Sequence, residues 1–206
     1  MLKQGPPPEN TRLKKSTIYI GIFAFLGVGL CATFLLFQDS LMAIGEGIDN
    51  MGGLALVDAF QVFLLAIPIS LVQTFVLKEN ISAIKVIPFV ISSAIAGFVG
   101  GFIGGAAISL FKISPGFLAG ILIGIVIGGI FGTISSLIQV SFMKDRTHSL
   151  SWVAYSLVSN VIVWASGWSI GWAISGLSGA AISSALMMVI SGISLSVYLT
   201  NTSVEF

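Results

Sequence analysis

Charge is what this sequence has least of. Only 8% of the 206 residues are Asp, Glu, Lys or Arg, where a soluble domain carries about 25%. A chain so poor in charge cannot cover a water-facing surface of ordinary size. Cysteine is nearly absent: Cys31 stands alone, which excludes an internal disulfide. His148 is the single histidine, with no cysteine or carboxylate cluster beside it, so no metal site and no cofactor are expected. Serine is common, but no G-x-S-x-G elbow occurs, and His148 lies in a polar turn outside the apolar runs. A serine–histidine pair is therefore not expected, and the chain is read as not an enzyme. The net charge of +1 gives no ground for nucleic acid or a strongly acidic partner.

What is present is apolar. Hydrophobic residues make up 56% of the chain and glycine contributes 24 positions. Six apolar runs follow a polar, proline-bearing tail over residues 1–15, which is expected to be disordered. They cover about 16–37, 53–77, 86–110, 115–143, 151–175 and 180–199, and residues 200–206 form a short second tail. Each run is long enough to cross a bilayer as a helix. The first has a basic flank like a signal peptide, but its apolar core is too long and no A-x-A site follows, so it is read as retained. Pro68 is expected to kink the second run, and Gly176, Leu177, Ser178 and Gly179 to break the chain before the sixth. The fold class expected is all-α, a bundle of six transmembrane helices. Lys3, Arg12, Lys14, Lys15, Lys78, Lys85, Lys144 and Arg146 then fall on one side, and Lys112 on the other. That bias places both termini in the cytoplasm.

Glycine carries a pattern of its own. In the fourth run Gly116, Gly120, Gly124, Gly128 and Gly132 recur every fourth residue. In water such a helix would be weak, since each internal glycine costs about 1 kcal/mol relative to alanine. In lipid the backbone must bond internally, and the glycines instead let a second helix backbone approach. This run is read as the central packing element, a glycine zipper. Gly97, Gly101, Gly105, Gly167 and Gly171 are read as packing positions too. The spacing of Gly97, Gly101 and Gly105 also suits a phosphate loop, but no Lys-Ser/Thr follows and the run is apolar, so helix packing is the reading.

Residues 71–109 resemble residues 137–175 at a constant offset of 66, with nine of 39 positions identical. The matches include Gln73/Gln139, Lys78/Lys144, Ser93/Ser159, Gly101/Gly167 and Gly105/Gly171. Each unit is a helix, a polar turn and a glycine-spaced helix, so both run in the same sense. The duplication expected is parallel, with a pseudo-axis along the membrane normal. Gln73 and Lys78, Gln139 and Lys144, and the run from Trp164 to Trp172 carry a resemblance to the glycine-rich polytopic membrane proteins common in cyanobacteria. It covers roughly residues 71–199 and departs from that pattern at Thr74 and Val140, where tryptophan would follow each glutamine. The resemblance implies a six-helix type of membrane domain in a bacterial plasma or thylakoid-type membrane, and no particular activity.

A few residues could carry chemistry. Asp58 is the one acid inside an expected span, and Gln61 shares its face. The pair suits a proton or cation site. Placed in the first helical turn by the headgroups, Asp58 needs no such role, and that placement is expected. Asn160 is expected to make an interhelical hydrogen bond, and Gln73 and Gln139 to cap or bridge helix ends. Trp164, Trp168 and Trp172 form one stripe at helical spacing. The stripe suits an aromatic wall for a quinone or pigment, but packing is the expectation, with Trp152 and Trp172 anchored near the interfaces. Three functions follow: an assembly module associating with itself or a membrane partner through glycine faces, a small transporter or channel using Asp58, Gln61 and Asn160, or a hydrophobic pigment or quinone binder. The first is the leading expectation.

Overall fold

The computed structural model describes residues 50–76, 85–114, 116–143, 149–174 and 176–201, and eight separate positions between 18 and 43. Five helices account for nearly all of it: α1 (Asn50–Val76), α2 (Val86–Leu110), α3 (Phe117–Phe142), α4 (Ser149–Ile174) and α5 (Gly176–Asn201). The protein is all-α over this length. Each helix has 25 to 27 residues. At about 1.5 Å per residue that exceeds the roughly 30 Å hydrocarbon thickness of a bilayer. Three of them, α2, α3 and α4, are long and apolar enough to cross a membrane, while α1 and α5 carry the apolar stretches Ala55–Leu71 and Ala185–Leu195.

The side-chain distribution agrees with lipid as the solvent. Ile87 is 69% exposed, Leu118 74% and Leu122 63%, while Ser93, Ser135, Ser136 and Gln139 are buried. A water-soluble fold puts such residues the other way round. This is an integral membrane helical protein, and its outer faces contact lipid.

Packing follows chain order. Each helix lies against the next one in sequence. Gly97 meets Val62 and Ala66 while Gly101 meets Asp58 and Ala59, so α1 and α2 are antiparallel. Gly120, Gly124, Gly128 and Gly132 meet Ser169, Ala165, Asn160 and Leu157 in turn, which makes α3 and α4 antiparallel as well. Gly100 and Gly104 of α2 face Phe131 and Ile127, so α3 is clasped between α2 and α4. The core runs through the bundle along Val62, Ala66, Phe89, Ile127, Trp164 and Met188.

Several expectations need correction. The fourth apolar run begins its helix at Phe117, with Gly116 as the cap residue, and nothing packs where a Gly116 side chain would stand. The packing ridge therefore has four glycines rather than five. The small residues from Gly176 to Gly179 do not break the chain; they open α5, because in lipid a helical backbone is favoured even for poor helix formers. Pro68 lies inside α1, at the position where the sequence places a kink, and the helix runs on past it to Val76. The first apolar run lies largely outside the described residues, although Ile22 and Leu26 are helical and pack on the core. Residues 1–15, residues 202–206, Cys31, Lys78, Lys144 and His148 also lie outside them, while Thr200 and Asn201, expected in the second tail, close α5.

The turn between α2 and α3 is well defined. The Ile113 N–H donates to the Ile108 carbonyl at 3.0 Å and the Lys112 N–H to the Ser109 carbonyl at 3.4 Å. These two bonds form a Schellman cap, whose C′ residue is left-handed. Lys112 occupies that position at φ 49°.

Candidate functional site

Polar side chains gather in one buried layer at the end of the bundle where α1 and α3 finish. Gln73 stands three residues before the end of α1, and Gln139 three before the end of α3. Ser93 lies two turns into α2 and Trp152 lies in the first turn of α4. All four are buried. Their hydrogen bonds run from helix to helix. The Trp152 indole Nε1 donates to Gln139 Oε1 at 3.1 Å. Gln139 Nε2 donates to Ser93 Oγ at 2.8 Å and to Gln73 Oε1 at 3.3 Å. One carboxamide thus ties α1, α2 and α4 to α3. Such bonds are favoured in lipid because the alternative is an unpaired polar group in hydrocarbon, although each contributes only about 0.6–2 kcal/mol.

Beside this layer lies a cavity of about 10 Å³ between α1, α4 and α5. Gln73, Tyr155, Ser159, Asn160 and Ser191 give it a polar lining, and Ile69 and Leu195 close it. The buried Asn160 bonds within its own helix: its Nδ2 donates to the Ser156 carbonyl at 2.7 Å and to Ser156 Oγ at 3.3 Å. The interhelical bond expected of Asn160 is therefore not made. The Asn160 main chain meets Gly128 of α3, and its side-chain amide turns back along α4 onto Ser156 one turn earlier.

Asp58 and Gln61 lie elsewhere. α1 starts at Asn50, so Asp58 sits in the third turn and not the first. The residue is 8% exposed, and Gly101 packs on its main chain. Among the described residues its carboxylate has neither a hydrogen bond nor an ion pair. Fifteen residues of helix separate it from Gln73, roughly 22 Å at 1.5 Å per residue. The structure therefore does not join Asp58 and Gln61 to the cavity that Asn160 lines.

The tryptophan stripe faces inward. Trp164 meets Phe131 edge-on at 6.1 Å, and Trp168 meets Trp172 edge-on at 5.3 Å. Trp164 and Trp168 are buried, and both indole N–H groups lack a partner. Trp152, expected as an interfacial anchor, is instead the fully buried donor of the polar layer. Gly167 faces Met187 of α5, Gly105 is buried and Gly171 is half-buried. Among the described residues no three His, Cys, Asp or Glu side chains come together as metal ligands.

Sequence reasoning missed Ser93 and Trp152 as members of this layer. A signal for Ser93 was present: Gln73/Gln139 and Ser93/Ser159 are the polar identities within the helices at the 66-residue offset, and all four border the layer or its cavity. No known family model, curated protein or solved structure matches this chain.

Proposed function

We propose that this chain is a non-enzymatic integral membrane protein that acts as a packing or assembly module. In this reading it has six spans in two parallel, duplicated units, its termini are cytoplasmic, and it belongs with the glycine-rich cyanobacterial group it resembles. The observation that carries the proposal is the contact of α3 with α4. At Gly120, Gly124 and Gly128 an added Cβ would run into the α4 backbone, so the two helices touch main chain to main chain over about two turns. Such glycine zippers favour a rigid body over a moving one. Gly120, Gly124, Gly128 and Gly132 are filled by α4 of the same chain, so a partner or second copy meets the module on its lipid-facing sides. Native mass spectrometry after gentle extraction from the source membrane tests the reading. A stoichiometric oligomer or partner chain supports it. A lone protomer that carries solute across liposomes removes it.

One observation favours a second reading, a small transporter or channel. Asp58 is an acid buried among helices with no described partner, and acids in such places usually mark an ion or proton path. That reading requires flux in liposomes that is lost in Asp58→Asn. A third reading, a pigment or quinone on the Trp164–Trp172 stripe, draws on the two unpaired indole N–H groups. A colourless, quinone-free preparation from the native membrane removes it.

A further inference from the structure

The cavity between α1, α4 and α5 is bordered by three polar groups that no described residue satisfies. Their orientation follows from one donor. An indole nitrogen can only donate, so the Gln139 oxygen must face Trp152. The Gln139 nitrogen then points the other way, to Ser93 Oγ and Gln73 Oε1. Gln73 presents its oxygen to Gln139, and its own Nε2 donates to no described residue. Ser159 is similar. The hydroxyls of Ser70, Ser93 and Ser191 each donate to a carbonyl one turn back, but that of Ser159 has no partner. Asn160 directs its Nδ2 at Ser156 and leaves Oδ1 without a donor. Gln73, Ser159 and Asn160 are each 9% exposed, and all three line the cavity.

We infer that this cavity is a binding site for one water molecule, held by Gln73 Nε2, Ser159 Oγ and Asn160 Oδ1. The space of about 10 Å³ suits one water and nothing much larger. The chemistry matches as well. Water accepts from the Gln73 N–H, donates to Asn160 Oδ1 and exchanges a bond with the Ser159 hydroxyl, close to the three bonds typical of a buried water. Polar groups left unpaired among lipid-embedded helices are costly, and one water relieves all three. A bare cation is a poor fit, because no acid is among the described residues that line the cavity.

The sequence offset gives the site a counterpart. Gln139 reaches Ser93 directly at 2.8 Å. Gln73 and Ser159 are the same residue types, each 66 positions from its equivalent. Water completes on one side the glutamine-to-serine link that the protein makes directly on the other.

A structure of the full chain in lipid nanodiscs, at a resolution that shows ordered water, tests the inference. The expected result is a single peak within hydrogen-bond distance of Gln73, Ser159 and Asn160. A cavity without density, or a Gln73 side chain swung directly onto Ser159, overturns it. Thermal unfolding of Ser159→Val in the same nanodiscs gives a second reading, since valine fills the space and expels the water. Expelling a bridging water strands Gln73 and Asn160, and Tm falls by roughly 2–10 °C. A Tm equal to or above that of the parent chain overturns the inference, because filling a dry gap adds contacts. If the variant does not accumulate, the density in the parent protein decides alone.

Discussion

Trp152 donates its indole N–H to Gln139 Oε1 at 3.1 Å, and that bond sets the direction of every other bond in the polar layer. With the Gln139 oxygen committed to Trp152, its nitrogen is left to Ser93 and Gln73. Replacing Trp152 by phenylalanine keeps most of the buried area and removes the donor. The expected result is a loss of about 1–3 kcal/mol, because Gln139 Oε1 is then buried without a partner. Equilibrium unfolding in mild detergent measures it, and an unchanged midpoint would show that Gln139 is held by other means.

Gln73 and Gln139 form the direct side-chain link between α1 and α3 at 3.3 Å. A double-mutant cycle with Gln73→Leu and Gln139→Leu should return a coupling energy of about 0.6–1.7 kcal/mol, the range found for hydrogen bonds between membrane helices. Additive losses would mean that the two carboxamides are neighbours without interacting.

Neighbouring glycines on α3 should respond in opposite ways. A Cβ at Gly128 would lie 2.5 Å from the Asn160 carbonyl oxygen, so Gly128→Ala must push α4 away and cost about 1–3 kcal/mol. Nothing lies within 4 Å of a Cβ at Gly129, one residue on. Gly129→Ala should therefore be neutral or stabilising by up to about 1 kcal/mol, through helix propensity alone. Thermal midpoints of the two single variants decide the matter, and equal effects would contradict the α3–α4 geometry.

Lys112 holds a left-handed conformation at φ 49° that costs a side-chain-bearing residue about 1–2 kcal/mol and glycine almost nothing. Lys112→Gly should raise the unfolding midpoint, part of the gain being offset by the greater freedom of glycine in the unfolded chain. A fall in the midpoint would mean that the lysine side chain stabilises the fold in another way.

Asp58 is buried, at 8% exposed, without a described partner. An isolated acid at such a site opposes folding, so Asp58→Ala should stabilise the bundle by about 1–3 kcal/mol. Measured beside flux, the variant also separates the two readings of function. A stabilised variant with unchanged behaviour in the membrane leaves Asp58 without a role. A stabilised variant that has lost flux marks Asp58 as a residue kept for function at the expense of stability.

How much of this was legible beforehand differs from residue to residue. Composition alone pointed to helices in lipid. The run 86–110 coincides with α2 residue for residue, because charged Lys85 and Lys112 lie just outside its ends. The glycine spacing marked Gly120, Gly124, Gly128 and Gly132 as a packing face, but not the helix that fills it. Asp58 reads as a first-turn residue because the apolar run opens at about Gly53, but the helix already starts at Asn50, which puts Asp58 in its third turn. The buried role of Trp152 was missed because nothing in its neighbourhood along the chain shows that Gln139 lies opposite.

The division has a physical cause. Within a bilayer each span must satisfy its own backbone, so apolar length and the placing of charge determine by themselves that this chain is helical and membrane-embedded. Those are local quantities, and a sequence displays them directly. Which faces meet, which way each carboxamide turns and how deep Asp58 lies depend on contacts between residues tens of positions apart. The antiparallel docking of α3 on α4 and the meeting of Gln73 with Gln139 are contacts of that kind, and only the tertiary structure decided them.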